Sequence, residues 1–154
     1  MEMLGRAGTG MKQQVQTELR HAKGDGMPTR SMVLIVDDDE EIRDILEDLL
    51  SFHGYTVVTA STVQEAEGVR QLLGFPAIGL VICDVHLSGN IELQEGYWLC
   101  RNWKEADPSL LFMLISGDLS MKDLPAVRAG VVPFVSKPFA VEELLAMIQR
   151  IFPR

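Results

Sequence analysis

Met32-Val33-Leu34-Ile35-Val36-Asp37-Asp38-Asp39 runs from five apolar residues straight into three carboxylates. The apolar run has no polar alternation and is rich in β-branched residues, so it suits a strand buried on both faces. The same grammar repeats along the chain. Within Asp39–His53, Ile42, Ile45, Leu46, Leu49 and Leu50 fall at helical spacing, and Gly54 ends the segment. Tyr55–Thr59 reads as a second strand, and Thr62 is placed to cap a helix reaching Leu73. Ile78–Cys83 is a third strand, Gly96–Ala106 a helix and Leu110–Ile115 a fourth strand. Met121–Ala129 reads as a short helix, Phe134–Ser136 as a short fifth strand and Val141–Phe152 as a last amphipathic helix. Five strands alternating with five helices predict an α/β fold, a parallel doubly wound sheet with right-handed crossovers.

The 154 residues suffice for one domain of this kind, with 47% apolar and 23% charged side chains. The longest apolar runs, Ala77–Cys83 and Leu110–Ile115, fall far short of the roughly 20 residues that span a bilayer, so no membrane insertion is expected. The N-terminus lacks the basic, apolar and small-residue order of a secretory signal. Cys83 and Cys100 lack metal or redox spacing and read as reduced thiols, which together point to a cytoplasmic protein. A net charge of −8 repels phosphate backbones and argues against direct nucleic-acid binding. Residues 1–31 differ from the body: they hold five of the 13 glycines, no aromatic residue, and five basic against three acidic side chains. Met11, Val15, Leu19 and Ala22 fall at helical spacing there, so this part reads as an extension, flexible or a short helix. The body, residues 32–154, carries a net charge of −10.

In a doubly wound sheet the functional crevice opens at the carboxyl ends of the strands, where the strand order reverses. The first strand runs into Asp37, Asp38 and Asp39, and the third into Asp84. If those strands are neighbours, as in the flavodoxin-like order 2-1-3-4-5, the carboxylates converge and repel one another. A hard divalent cation with oxygen ligands relieves that repulsion, and Mg²⁺ suits such a donor set. Helix capping and turn formation are the ordinary alternatives for each acid taken singly. The fourth strand ends at Ser116-Gly117 and the fifth at Lys137-Pro138, bringing a hydroxyl and an ammonium to the same edge. An X–Pro bond can be cis, which would turn the chain sharply and could aim the ammonium at the acids. Metal, cation, hydroxyl and a nucleophilic carboxylate together make an inventory for phosphoryl transfer.

These segments resemble the receiver domain of bacterial two-component response regulators, over about Met32 to Phe152. The resemblance rests on four motifs in order: Val33–Asp39, Leu80–Asp84, Leu114–Gly117 and Phe134–Phe139. It implies that Asp84 accepts a phosphoryl group from a histidine kinase or phosphotransfer protein. It further implies that Asp38 binds Mg²⁺ directly, that Asp37 binds it largely through water, and that the backbone carbonyl of His86 adds a ligand. Ser116 would take one phosphoryl oxygen and Lys137 another, with movement of the hydroxyl coupled to Phe134. Two departures from the family pattern stand out. The Met-Pro pair usual after the acceptor is missing, and the segment 87–95 is long; it either crosses the site or extends the third helix backwards. His86 and Asp118 occupy the positions at which family members tune phosphoryl lifetime, and they would govern access of the hydrolytic water.

Only Pro153-Arg154 follows the last helix, so the expected output is a contact with a downstream protein target rather than an attached effector. By resemblance the contact surface is the fourth helix, fifth strand and fifth helix, including Met121, Lys122, Val131, Glu142 and Gln149, which could also pair two copies. Other readings stay open. Asp37-Asp38-Asp39 also spells the Asp-x-Asp of haloacid-dehalogenase-type phosphatases, with Asp37 as nucleophile, although Glu41 stands where that family has Thr or Val. Behind the stand-alone switch come a receiver fragment of a larger regulator or hybrid kinase, and a structural module that keeps only the fold, which the intact set of site residues disfavours. ATP-dependent chemistry is disfavoured, since neither GxxxxGK[ST] nor GxGxxG occurs. The domain itself is therefore expected to be a phosphoacceptor and not a conventional enzyme.

Overall fold

The computed structural model describes residues 30–74 and 77–154. The amphipathic segment Met11–Ala22 lies outside the described residues. In chain order the elements are β1 (Met32–Val36), α1 (Glu40–Phe52), β2 (Thr56–Ala60), α2 (Val63–Leu73), β3 (Ile78–Asp84) and α3 (Glu95–Ala106). There follow β4 (Leu111–Ser116), a 3₁₀ turn (Leu119–Asp123), α4 (Pro125–Arg128), β5 (Phe134–Ser136) and α5 (Val141–Ile151). All strand pairs are parallel, in the order β2-β1-β3-β4-β5. The expected doubly wound sheet is therefore present, and the order reverses between β1 and β3.

Alternate residues of each central strand feed two separate cores, as the period of two requires. Val33, Ile35, Leu80, Ile82, Met113 and Ile115 pack with Leu46 and Leu50 of α1 and Leu144 and Ile148 of α5. Leu34, Val36, Val81, Cys83, Phe112 and Leu114 face Ala66 and Val69 of α2 and Leu99, Cys100 and Trp103 of α3. Both faces are covered, which is why β1 and β3 read as unbroken apolar runs. The inward stripe of α1 is Ile42, Leu46 and Leu50; Ile45, counted with it in the sequence, is nearly half exposed. The predicted cap forms, with the Thr62 side chain accepting from the Glu65 amide, and Asp39 caps α1 likewise by accepting from the Glu41 amide.

The segment Met121–Ala129 is not one helix. Pro125 stands inside it, and a residue preceding proline is driven out of the helical region. Leu124 adopts φ −56° and ψ 139°, separating the 3₁₀ turn from α4. The 3₁₀ turn carries Met121 into the core beside Leu124 and Val132, so Met121 is not a surface residue. Lys122, Val131, Glu142 and Gln149 are exposed as expected. Nor is α3 extended backwards through the long segment: Asn90 forms a turn, its side chain accepting from the Glu92 amide and its carbonyl from the Leu93 amide, and the helix starts at Glu95.

One glycine fixes how α3 meets the sheet. The Gly96 amide donates to the Val85 carbonyl at 3.0 Å, and a Cβ at Gly96 would collide with the carbonyl oxygen of Asp84 and press on Cys83. No flexible side-chain end can yield there, because the obstacle is backbone. Gly96→Ala should cost about 2–3 kcal/mol, the upper range for overpacking. Urea unfolding of the variant reads this directly; a loss under about 0.5 kcal/mol would show that α3 shifts freely.

Candidate functional site

Ladder and loop hydrogen bonds align the strand ends before any side chain is considered. The Asp37 amide donates to Ala60 at 3.1 Å, Val85 to Ile115 at 3.0 Å and Lys137 to Ser116 at 2.8 Å. Register then sets Asp84 opposite Ile115 and Ser116 opposite Ser136. The Lys137–Pro138 bond is cis. The Lys137 ammonium lies between the two acids, 2.8 Å from Asp37 Oδ2 and 2.9 Å from Asp84 Oδ2. Carboxylate oxygens of Asp37, Asp38 and Asp84 all lie within 4.8 Å of one another. Asp37 has no exposed surface, Asp84 is 7% exposed, and Asp38 is exposed.

Electrostatics follow from that burial. Desolvation raises the Asp37 carboxyl above its ordinary range, more than the hydrogen bonds from Lys137 and the Asp39 amide lower it. Asp84 is raised for the same first reason, with Asp37 adding repulsion against the ammonium's pull. Burial works against the Lys137 charge as well, but its bonds to both carboxylates outweigh it and hold the ammonium above its usual value. Two buried carboxylates thus share one ammonium, with the exposed Asp38 beside them, so negative charge is in excess. Hard oxygen donors at this spacing fit Mg²⁺, and a softer metal would find no thiolate or imidazole among the three.

The other predicted residues are at hand with different partners. Ser116 is buried, and its hydroxyl oxygen accepts from the Asp118 amide at 3.0 Å. The His86 amide donates to Asp84 Oδ1 at 3.2 Å, and its Nδ1 lies 2.7 Å from the Leu93 carbonyl. His86 Nε2 approaches Asp118 Oδ2 at 3.7 Å, outside hydrogen-bond reach. The Ser120 hydroxyl and amide hold the Asp118 carboxyl below its ordinary value. Phe134 is half-buried and packs against the core that includes Met121 and Leu124. Cys83 and Cys100 are buried free thiols; burial pushes Cys100 up to about 12, so neither is poised for redox chemistry.

Two contributors were missed from sequence. Arg43, in the second turn of α1, donates to the Asp37 backbone carbonyl at 2.8 Å and braces the acidic turn. Its only sequence signal is a cation six residues beyond an acidic strand end. Gly96, which braces the Asp84 backbone from the other side, is visible in the sequence only as the glycine that closes segment 87–95 and opens a helix, with nothing to show its contact with Asp84.

The family model described as "Response regulator receiver domain" matches residues 33–149. A curated relative from Guillardia theta, named "Probable transcriptional regulator ycf27", is 34% identical over 129 residues, covering 83% of this chain and 48% of the relative. "Response regulator MprA" of Mycolicibacterium vanbaalenii is 32% identical over 129 residues, 83% of this chain and 52% of its own. The chain therefore spans about half the length of both. The crystal structure of the receiver domain of NtrX from Brucella abortus superposes with a TM-score of 0.64 at 31% identity, covering 77% of this chain and 95% of that one. Sheet order, acidic crevice and matched length agree: the chain belongs to the response regulator receiver domain family.

Proposed function

We propose that the domain is a phosphorylatable switch with Asp84 as acceptor. A carboxylate oxygen of Asp84 attacks phosphorus, an acyl phosphate forms, and the P–N bond of a partner's phosphohistidine breaks to release the imidazole. Asp38, Asp84 and the His86 carbonyl would hold Mg²⁺, with Asp37 beside them, and the bound ion would supply charge neutralisation for the incoming phosphoryl group. Lys137 stays with the acceptor and pairs with one phosphoryl oxygen. Ser116 exchanges its bond from the Asp118 amide for another, and Phe134 follows the hydroxyl. His86 and Asp118 flank the path of the hydrolytic water. The observation that carries this reading is the Lys137 ammonium at 2.8–2.9 Å from two buried carboxylates of neighbouring strand ends.

The partners are a histidine kinase or phosphotransfer protein upstream and a protein target downstream, met through the exposed side of α4, β5 and α5. That face is also where two copies would pair. The twofold greater length of the two relatives supports a second possibility, a receiver part of a longer regulator. The phosphatase reading with Asp37 as nucleophile is the weaker: Asp37 has no exposed surface, whereas Asp84 keeps 7% of its own open at the sheet edge.

The test is incubation of the intact chain with acetyl phosphate and Mg²⁺, reductive trapping of the acyl phosphate, and peptide mass mapping. The label is expected on Asp84 and absent with a chelator. A label on Asp37 would replace the switch by the phosphatase.

A further inference from the structure

Beside the site, and not part of it, lies an open-sided cavity of about 760 Å³. The start of α2, the long segment 87–95 and the first half of α3 enclose it, with Val63, Leu87, Leu93, Trp98 and Leu99 as its apolar lining. Trp98 is 68% exposed, Leu93 49% and the neighbouring Ile91 73%, so three of the large apolar side chains left in solvent cluster here. Such clustering marks a contact surface more often than chance exposure does. The charged residues lining the cavity, Glu92 and Glu95, are both acidic. An occupant must therefore be apolar on one side and basic at its margin.

The chain carries a segment of that description. Met11, Val15, Leu19 and Ala22 would share one narrow stripe of a helix, with Lys12 and Lys23 along one edge and Glu18 along the other, so the edge that meets the acids is the lysine one. The first 31 residues are net basic, whereas the body is strongly acidic. The tether also starts in the right place. Arg30 Nη2 donates to both carboxylate oxygens of Asp107, at 3.0 and 2.9 Å, and Asp107 caps the far end of α3. From there Trp98 lies about 14 Å along the same helix, by the rise of 1.5 Å per residue. The seven residues 23–29 can span about 24 Å when extended.

We propose that residues Met11–Ala22 dock in cis as an amphipathic helix on the cavity between α2, segment 87–95 and α3, with Trp98 as the apolar anchor and Glu92 and Glu95 facing Lys12 and Lys23. This stands whether or not Asp84 takes phosphate.

The experiment compares the full chain with its Val15→Asp/Leu19→Asp variant, using acrylamide quenching of tryptophan emission at several protein concentrations. Trp103 is buried, so the quenchable signal belongs to Trp98. The variant should be quenched at least twofold more strongly than wild type, at every concentration, and Glu92→Lys should move wild type in the same direction. Equal quenching in wild type and both variants would overturn the proposal. So would shielding of Trp98 that appears only as concentration rises, which would assign the cavity to a second copy.

Discussion

Asp84→Asn is expected to abolish labelling by acetyl phosphate and Mg²⁺, a fall of at least ~10³-fold, the scale seen when a covalent nucleophile is removed. Asparagine keeps the shape and can still accept from the His86 amide and approach Lys137, so the crevice should persist. What it lacks is an anionic oxygen able to form the acyl phosphate. Since burial holds the Asp84 carboxyl above its usual range, ionised Asp84 is a burden on the folded state at neutral pH. The variant should therefore be no less stable than wild type, which separates loss of chemistry from loss of fold. Residual label in Asp84→Asn, mapped to Asp37 or Asp38, would move the chemistry to the first strand end.

Most of this sheet edge is legible in the sequence itself. Strand ends are visible in sequence because a buried parallel strand is an apolar run, and the residue after it must lie at the sheet edge. Asp37, Asp84, Ser116 and Lys137 are each legible that way, and the parallel register sets them along one sheet edge, where Lys137 meets Asp37 and Asp84. Contacts made through backbone were not legible. Gly96 matters because it has no Cβ next to the Asp84 carbonyl, and Arg43 because it reaches a main-chain oxygen. Neither creates a periodicity or a charge pattern. The split before α4 was legible in principle, from Pro125, but the apolar spacing from Met121 outweighed it. That also misassigned Met121, whose place in the core depends on the 3₁₀ turn. The path of 87–95 depended on the Asn90 turn and on the bond between His86 and the Leu93 carbonyl, both specific to this chain's spacing.

Lys137→Ala tests whether the crevice is held by charge balance. Breaking a buried pair from one side costs about 3–5 kcal/mol, because the remaining charge keeps its desolvation burden. The Lys137 side chain is 20% exposed, which allows water some access and reduces the expectation to about 2–3 kcal/mol at pH 7 without Mg²⁺. The sign with pH is fixed by the carboxylates. Both Asp37 and Asp84 are raised above the ordinary 3.8, so their contribution favours folding when protonated and is lost as pH rises through the raised values. Without the ammonium the two values climb further, and the deficit of Lys137→Ala should shrink as pH falls towards 4. Asp37→Asn removes one of the two like charges, so by itself it should be neutral or stabilising by about 1 kcal/mol at pH 7. In the double variant Lys137→Ala then strands one carboxylate instead of two, and the cycle should return a coupling of at least about 1 kcal/mol. Millimolar Mg²⁺ should restore the single Lys137→Ala variant more than the double, since the cation takes over the role the ammonium left. A cost below about 0.5 kcal/mol that is flat from pH 4 to 8 would mean that the two acids do not need Lys137, and that the 2.8 Å and 2.9 Å contacts report position without energy.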